Sequence, residues 1–263
     1  MLQDYSDSII ENNIGTKKPN SKHNWLMLVV LPVWVFIGFF SAQIIVSGLA
    51  WVLVSIGVPL KSLNESVLNT LLAAILYLIT LVIVLILPWL IRKNQISLSD
   101  IGLPRLPSWT DILLAPAGFV IYILLSTALI MLATQILPGF NTNQVQNTGF
   151  GHLSLNFEYI LAFITLVIVA PVAEEVLFRG YLFGRLKKYV PVWAAIIATS
   201  VLFGLVHGSW QVGIDTFSLS VILCLLREMS GSIWPSILLH MIKNSIAFYL
   251  LFIYPTLLTT LVR

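Results

Sequence analysis

Apolar residues in this chain come in long unbroken runs, and short polar stretches separate them. Period-2 alternation is absent, so strands are not expected, and each run is long enough for a helix of ~20 residues that crosses ~30 Å of hydrocarbon. The first run, residues 25–60, exceeds one straight span. Gly48, Gly57 and Pro59 predict a long helix followed by a surface or re-entrant piece. A polar turn (61–66), a second span (67–91), a proline-bearing connector (92–111) and a third span (112–137) follow. Residues 138–156, "PGFNTNQVQNTGFGHLSLN", form a polar loop with no Lys or Arg. Further helices are expected over about 157–189, 191–206, 212–226 and 233–255, with an eighth, partial one after 255. The fold class is therefore all-α, a polytopic transmembrane bundle of about 7–8 helices. Residues 1–24 form a polar tail, and 25–263 a single transmembrane domain.

Composition agrees. The 263 residues are 58% hydrophobic and 10% charged, whereas soluble domains are near half apolar. The net charge of +3 does not point to nucleic acid, because no basic cluster is interleaved with stacking aromatics. Cys224 is the single cysteine, which excludes an intrachain disulfide. The first 24 residues are polar and of mixed charge, unlike a cleavable signal. Lys17, Lys18 and Lys22 precede the first span. Arg92, Lys93 and Arg105 follow the second, Arg185, Lys187 and Lys188 the fourth, and Arg227 the sixth. Alternate loops are thus basic, which predicts a cytoplasmic N-terminus. Most tryptophans fall near span ends, as an aromatic belt would place them.

Against this background three ionisable clusters stand out in the second half, since charges at membrane depth persist mainly where they face a cavity, pair or do chemistry. The first is Glu174-Glu175-x-x-x-Arg179. Glu175 and Arg179 are at i,i+4 and predict an ion pair. Glu174 points ~100° away around the helix and has no partner there. The second is Phe203-x-x-x-His207, and the third His240-x-x-x-Asn244. Counting ~1.5 Å per residue from the basic turns puts Glu174 ~22 Å, His207 ~24 Å and His240 to Asn244 ~14–20 Å along their helices. The four side chains therefore meet at similar levels. Taken singly, a Glu–Arg pair or a histidine is commonly structural; the convergence favours function. Asp215 reads as structural or solvated, His23 and His152 as solvated, and Lys243 as snorkelling or facing another side.

The ordered set "EEVLFR", "FGLVH" and "HMIKN" resembles the CPBP intramembrane protease family, which covers CAAX proteases and bacteriocin-processing proteins. The resemblance spans about 156–254, the expected catalytic core. It implies an endopeptidase acting from the cytoplasmic side on a membrane-associated peptide or protein, prenylated CAAX proteins being one such class. Glu174 would be the general base, His207 would orient the water or share its proton, and His240 and Asn244 would stabilise the oxyanion. Glu175, Arg179 and Phe203 would support them. No cofactor is favoured; the alternative is a zinc ion on Glu174, His207 and His240, which lack the HExxH spacing that holds two ligands on one helix turn. Two rival readings are a non-catalytic scaffold or bacteriocin-immunity protein, and a transporter using the charges as a relay. No inverted repeat supports the latter. The sequence assigns no oligomeric state. For sidedness, a Gln146→Cys variant in intact cells should label with an impermeant thiol reagent. Labelling only after permeabilisation would invert the predicted topology.

Overall fold

A computed structural model of the chain describes residues 23–92, 97–137, 140, 150 and 153–255. The N-terminal tail, most of the loop between the third and fourth helices and the expected partial helix after 255 lie outside the described residues. Among the described residues, seven helices follow in order. They are α1 (Met27–Ser55), α2 (Glu65–Leu90), α3 (Trp109–Ile136), α4 (Asn156–Leu186), α5 (Val192–Leu205), α6 (Trp210–Ser230) and α7 (Trp234–Ile253). Among the described residues there is no strand. Five of the seven, all but α5 and α6, are long and apolar enough to cross a membrane. Helix α5 has 14 residues, ~21 Å of rise. Helix α6 carries Asp215, Arg227 and Glu228 among serines and threonines, which lowers its hydropathy. The bundle is that of an integral membrane protein.

Helix α4 is the innermost of the long helices. Half of its most apolar stretch is buried, against 11% for α2. It is not a uniform α-helix. Two π-helical stretches, Ile164–Val169 and Val176–Phe183, flank a short α segment, Ala170–Glu175, that holds the paired glutamates. A π stretch bonds i to i+5 and re-aims side chains, which makes such stretches frequent at functional sites. It also invalidates a uniform 1.5 Å per residue, so the depths counted from the basic turns hold only in rank. Helices α5 and α6 form a tight hairpin. Its turn needs Gly208, whose φ of +77° is unfavourable for a residue with a Cβ.

The polar segment 97–107 closes the end of the bundle that carries the basic turns. The backbone N–H of Ile233 donates to the Gly102 carbonyl at 2.8 Å, and Trp234 Nε1 donates to the Arg105 carbonyl at 2.8 Å. Arg105 pairs with Asp111, whose carboxylate also completes the Ser108 capping box that starts α3. Backbone and hydroxyl donors of Ser97 hold the Asp100 carboxyl below its usual range. At the other end Asn64 caps α2 through the N–H groups of Ser66 and Val67, and its amide donates to Glu158 at 2.6 Å, tying the starts of α2 and α4 together.

Gly180, next to Arg179, lets the Ile101 carbonyl lie against α4; a Cβ there would collide with that oxygen. Gly180→Val should therefore lower stability in detergent by about 1–3 kcal/mol. Gly184→Ala, whose added carbon meets nothing nearer than 3.6 Å, should leave the melting temperature almost unchanged. Thermal unfolding of both variants checks the pair.

Candidate active site

Three helices deliver the sequence-predicted residues to one place. Glu174 and Glu175 come from the short α segment of α4. His207 follows α5, and His240 and Asn244 share a face of α7. Glu174, His207, His240 and Asn244 all line a single cavity of about 660 Å³.

Beneath it lies a buried ionic layer. Glu175 and Arg179 are both fully buried, and Arg179 Nη1 donates to Glu175 Oε1 at 2.8 Å. The expected i,i+4 pair is therefore formed. The guanidinium sits 4.3 Å from the centre of the Phe203 ring, a cation–π contact. Phe203 is itself fully buried and stands edge-on to Phe178, His207 and His240. Burying a pair without lipid or water access is worthwhile only when further partners complete it, and here the further partner is a histidine. His240 Nδ1 lies 2.9 Å from the same Oε1. A carboxylate facing an arginine is ionised and can only accept, so Nδ1 carries the proton. In neutral His240 the other nitrogen, Nε2, then holds a lone pair. It faces Glu174 Oε2 at 3.8 Å, a gap that suits a bridging water better than a direct bond.

His207 has the same arrangement. Its Nδ1 is 2.6 Å from the Phe203 carbonyl, an acceptor only, so Nδ1 donates and Nε2 is left free. The motif spacing F-x-x-x-H thus encodes a local i,i+4 bond from ring to backbone. Asn244 is engaged as well. Its Nδ2 donates to the Leu166 carbonyl at 2.8 Å, within the first π stretch of α4, and leaves one amide hydrogen for other use.

Residues missed at the sequence level complete the wall. Tyr77 of α2 donates to Glu174 Oε1 at 2.6 Å, although Glu174 has no partner on its own helix. An isolated tyrosine in an apolar run carries no signal that could reveal this. Asp215 lies on α6 and faces the cavity, with Oδ1 accepting from Tyr122 at 2.6 Å and Ser126 at 2.7 Å. Lys243 lines the cavity too, with Nζ 3.7 Å from Asp215 Oδ2. It does not face away as its neighbourhood in sequence suggests.

The cavity walls are drawn from the first halves of α2 and α6, from α4 up to Glu174, from the last turns of α3 and from α7 from His240 onward. All of these lie at the end remote from the basic turns, whereas segment 97–107 covers the basic end. For a zinc ion the donor chemistry is suitable: two imidazole Nε2 atoms and a carboxylate. Yet among the described residues no three His, Cys, Asp or Glu side chains are gathered closely enough to hold a metal ion.

A carboxylate braced by a hydroxyl, next to two oriented imidazoles inside a helix bundle, defines a class: membrane proteins with a polar centre between their helices. Comparison with known proteins narrows it. Residues 156–246 match the family model of type II CAAX prenyl endopeptidases, Rce1-like. The chain is 30% identical over 105 residues to "Putative membrane peptidase YdiL" of Bacillus subtilis, covering 37% of this chain and 43% of that protein. It is 33% identical over 89 residues to an "Uncharacterized 24.3 kDa protein" of Escherichia coli, covering 32% of this chain and 41% of the other. The matches thus span less than half of these relatives. No solved structure gives a significant match. Over α4 to α7 the chain is thus similar to the CAAX protease family that its three motifs resemble.

Breaking the buried layer should unfold the protein before it affects chemistry. Arg179→Ala leaves Glu175 without its cation, at a cost of about 3–5 kcal/mol. The yield of monodisperse protein in detergent should fall sharply. A well-folded, inactive Arg179→Ala would instead place the arginine in the reaction.

Proposed function

We propose that the protein is an intramembrane endopeptidase that hydrolyses a peptide bond near the end of a membrane-associated protein or peptide. The supporting observation is Glu174: a carboxylate in the cavity, held by Tyr77 and separated by 3.8 Å from a histidine nitrogen whose tautomer is set by Glu175. In this reading a water lies between Glu174 Oε2 and the imidazoles. Glu174 takes its proton while the oxygen attacks the carbonyl carbon. His240 accepts that proton at Nε2, becomes an imidazolium stabilised by Glu175, and returns it to the leaving amine as the C–N bond breaks. His207 orients the water. The second amide hydrogen of Asn244 and protonated His240 stabilise the oxyanion, as preorganised donors in a dry site do effectively. His240 thus acts as a donor only after protonation. Glu175, Arg179 and Phe203 position the layer beneath. No step is assigned to a metal, and partners other than substrate and lipid are not invoked. The N-terminus is assigned to the cytoplasm and the protein to the plasma membrane, on the distribution of basic residues.

Glu174→Gln keeps the shape and the Tyr77 contact but removes the base. Turnover should fall about 10²–10⁴-fold with thermal stability retained. Comparative peptidomics of cells carrying wild type or this variant should show an uncleaved terminus or leader in the variant. Identical peptide profiles would favour a non-catalytic scaffold.

A further inference from the structure

Lys243 stands apart from the rest of the cavity. It lies between His240 and Asn244 on α7, ~4.5 Å along the helix axis from His240, and its ammonium faces the same cavity as Glu174. Its facing carboxylate is Asp215, whose Oδ1 is already committed to Tyr122 and Ser126, and whose Oδ2 is 3.7 Å away, beyond hydrogen-bond length. An ammonium has three donors. Asp215 therefore holds Lys243 in place without satisfying it. Charge at this depth is costly unless paired or used, and the other ionic group here, Glu175 with Arg179 and His240, is joined by direct bonds of 2.8 and 2.9 Å. Lys243 is a lysine rather than a second arginine fork, so it suits a single point charge.

We infer that Lys243 is the subsite for a substrate carboxylate located within a few residues of the scissile bond, on the side that leaves with the amine. This rests on the peptidase reading above. An extended chain covers ~3.3–3.6 Å per residue, so a group within one helix turn of His240 meets the substrate close to the cut. The carboxylate completes the bonds that Asp215 leaves open. It comes either from the free C-terminus of the substrate or from an acidic side chain near the cut, and the first favours removal of a short C-terminal tail over internal cleavage of a leader.

The test uses full-length protein carrying Glu174→Gln in lipid nanodiscs, so that binding is read without turnover. N-acetyl-trileucine as the free acid and the same peptide as its carboxamide are titrated while thermal unfolding is followed. The acid should bind roughly tenfold tighter, about 1.4 kcal/mol. Lys243→Met combined with Asp215→Asn, which leaves neither charge unpaired, should erase that preference, and Lys243→Arg should retain much of it. A carboxamide with glutamate in the middle position distinguishes the sources: binding as tight as the acid assigns the subsite to a side chain, and binding like the plain amide to the C-terminus. Equal response to acid and amide, no response to either, or an acid preference that survives loss of Lys243 overturns the inference. Failure of the peptidase reading shows separately, as identical peptide profiles in cells carrying wild type and Glu174→Gln.

Discussion

One carboxylate oxygen organises this protein. Oε1 of Glu175 accepts from Arg179 on its own helix and from His240 on α7, and all three groups are buried. An unpaired charge there would cost several kcal/mol, so the packing of α4 against α7 and the ionic bonding require each other. The bond also fixes chemistry. Because Glu175 Oε1 accepts from Arg179, it dictates which His240 nitrogen carries the proton and aims the other at Glu174. Phe203 closes the layer, offering its ring to the guanidinium and its carbonyl to His207. Adjacent glutamates thus have opposite duties: Glu175 is an internal brace, and Glu174 is left at the cavity wall.

Much of this was legible before any coordinates. Long apolar runs allow only helices at membrane depth, so the number and order of elements follow from the chain. The i,i+4 spacings are local, and the Glu175–Arg179 pair and the shared face of His240 and Asn244 depend on little else. Long-range partners were not legible. Tyr77 reaches Glu174 across 97 positions in sequence, and nothing local distinguishes it from an interfacial tyrosine. Lys243 was misplaced because a lysine in an apolar helix can snorkel as readily as face inward. Which occurs here depends on Asp215, which α3 holds in place. The two π stretches of α4 were also invisible, since periodicity arguments assume 3.6 residues per turn, and the register of Asn244 on Leu166 depends on the first of them.

The matched segment covers α4 to α7, while the hydroxyl on Glu174 comes from α2, outside it. The first half of the chain is therefore not only an anchor. It supplies Tyr77 to the centre, and through α3 the hydroxyls of Tyr122 and Ser126 that hold Asp215. Segment 97–107, also from this half, packs on Gly180 beside the motif arginine and closes the basic end of the bundle. Differences among relatives in this half would change the surroundings of Glu174 without touching the three motifs.

The claim that Glu175 sets the state of His240 has a direct spectroscopic reading. Nitrogen-15 NMR of the ring nitrogens of His240, assigned by comparison with a His240→Gln variant in lipid, distinguishes the two neutral tautomers and the imidazolium. The account predicts a proton on Nδ1, with Nε2 bare in the neutral ring, and loss of that preference in Glu175→Ala. A neutral ring protonated at Nε2, or one whose tautomer is indifferent to Glu175, would contradict it.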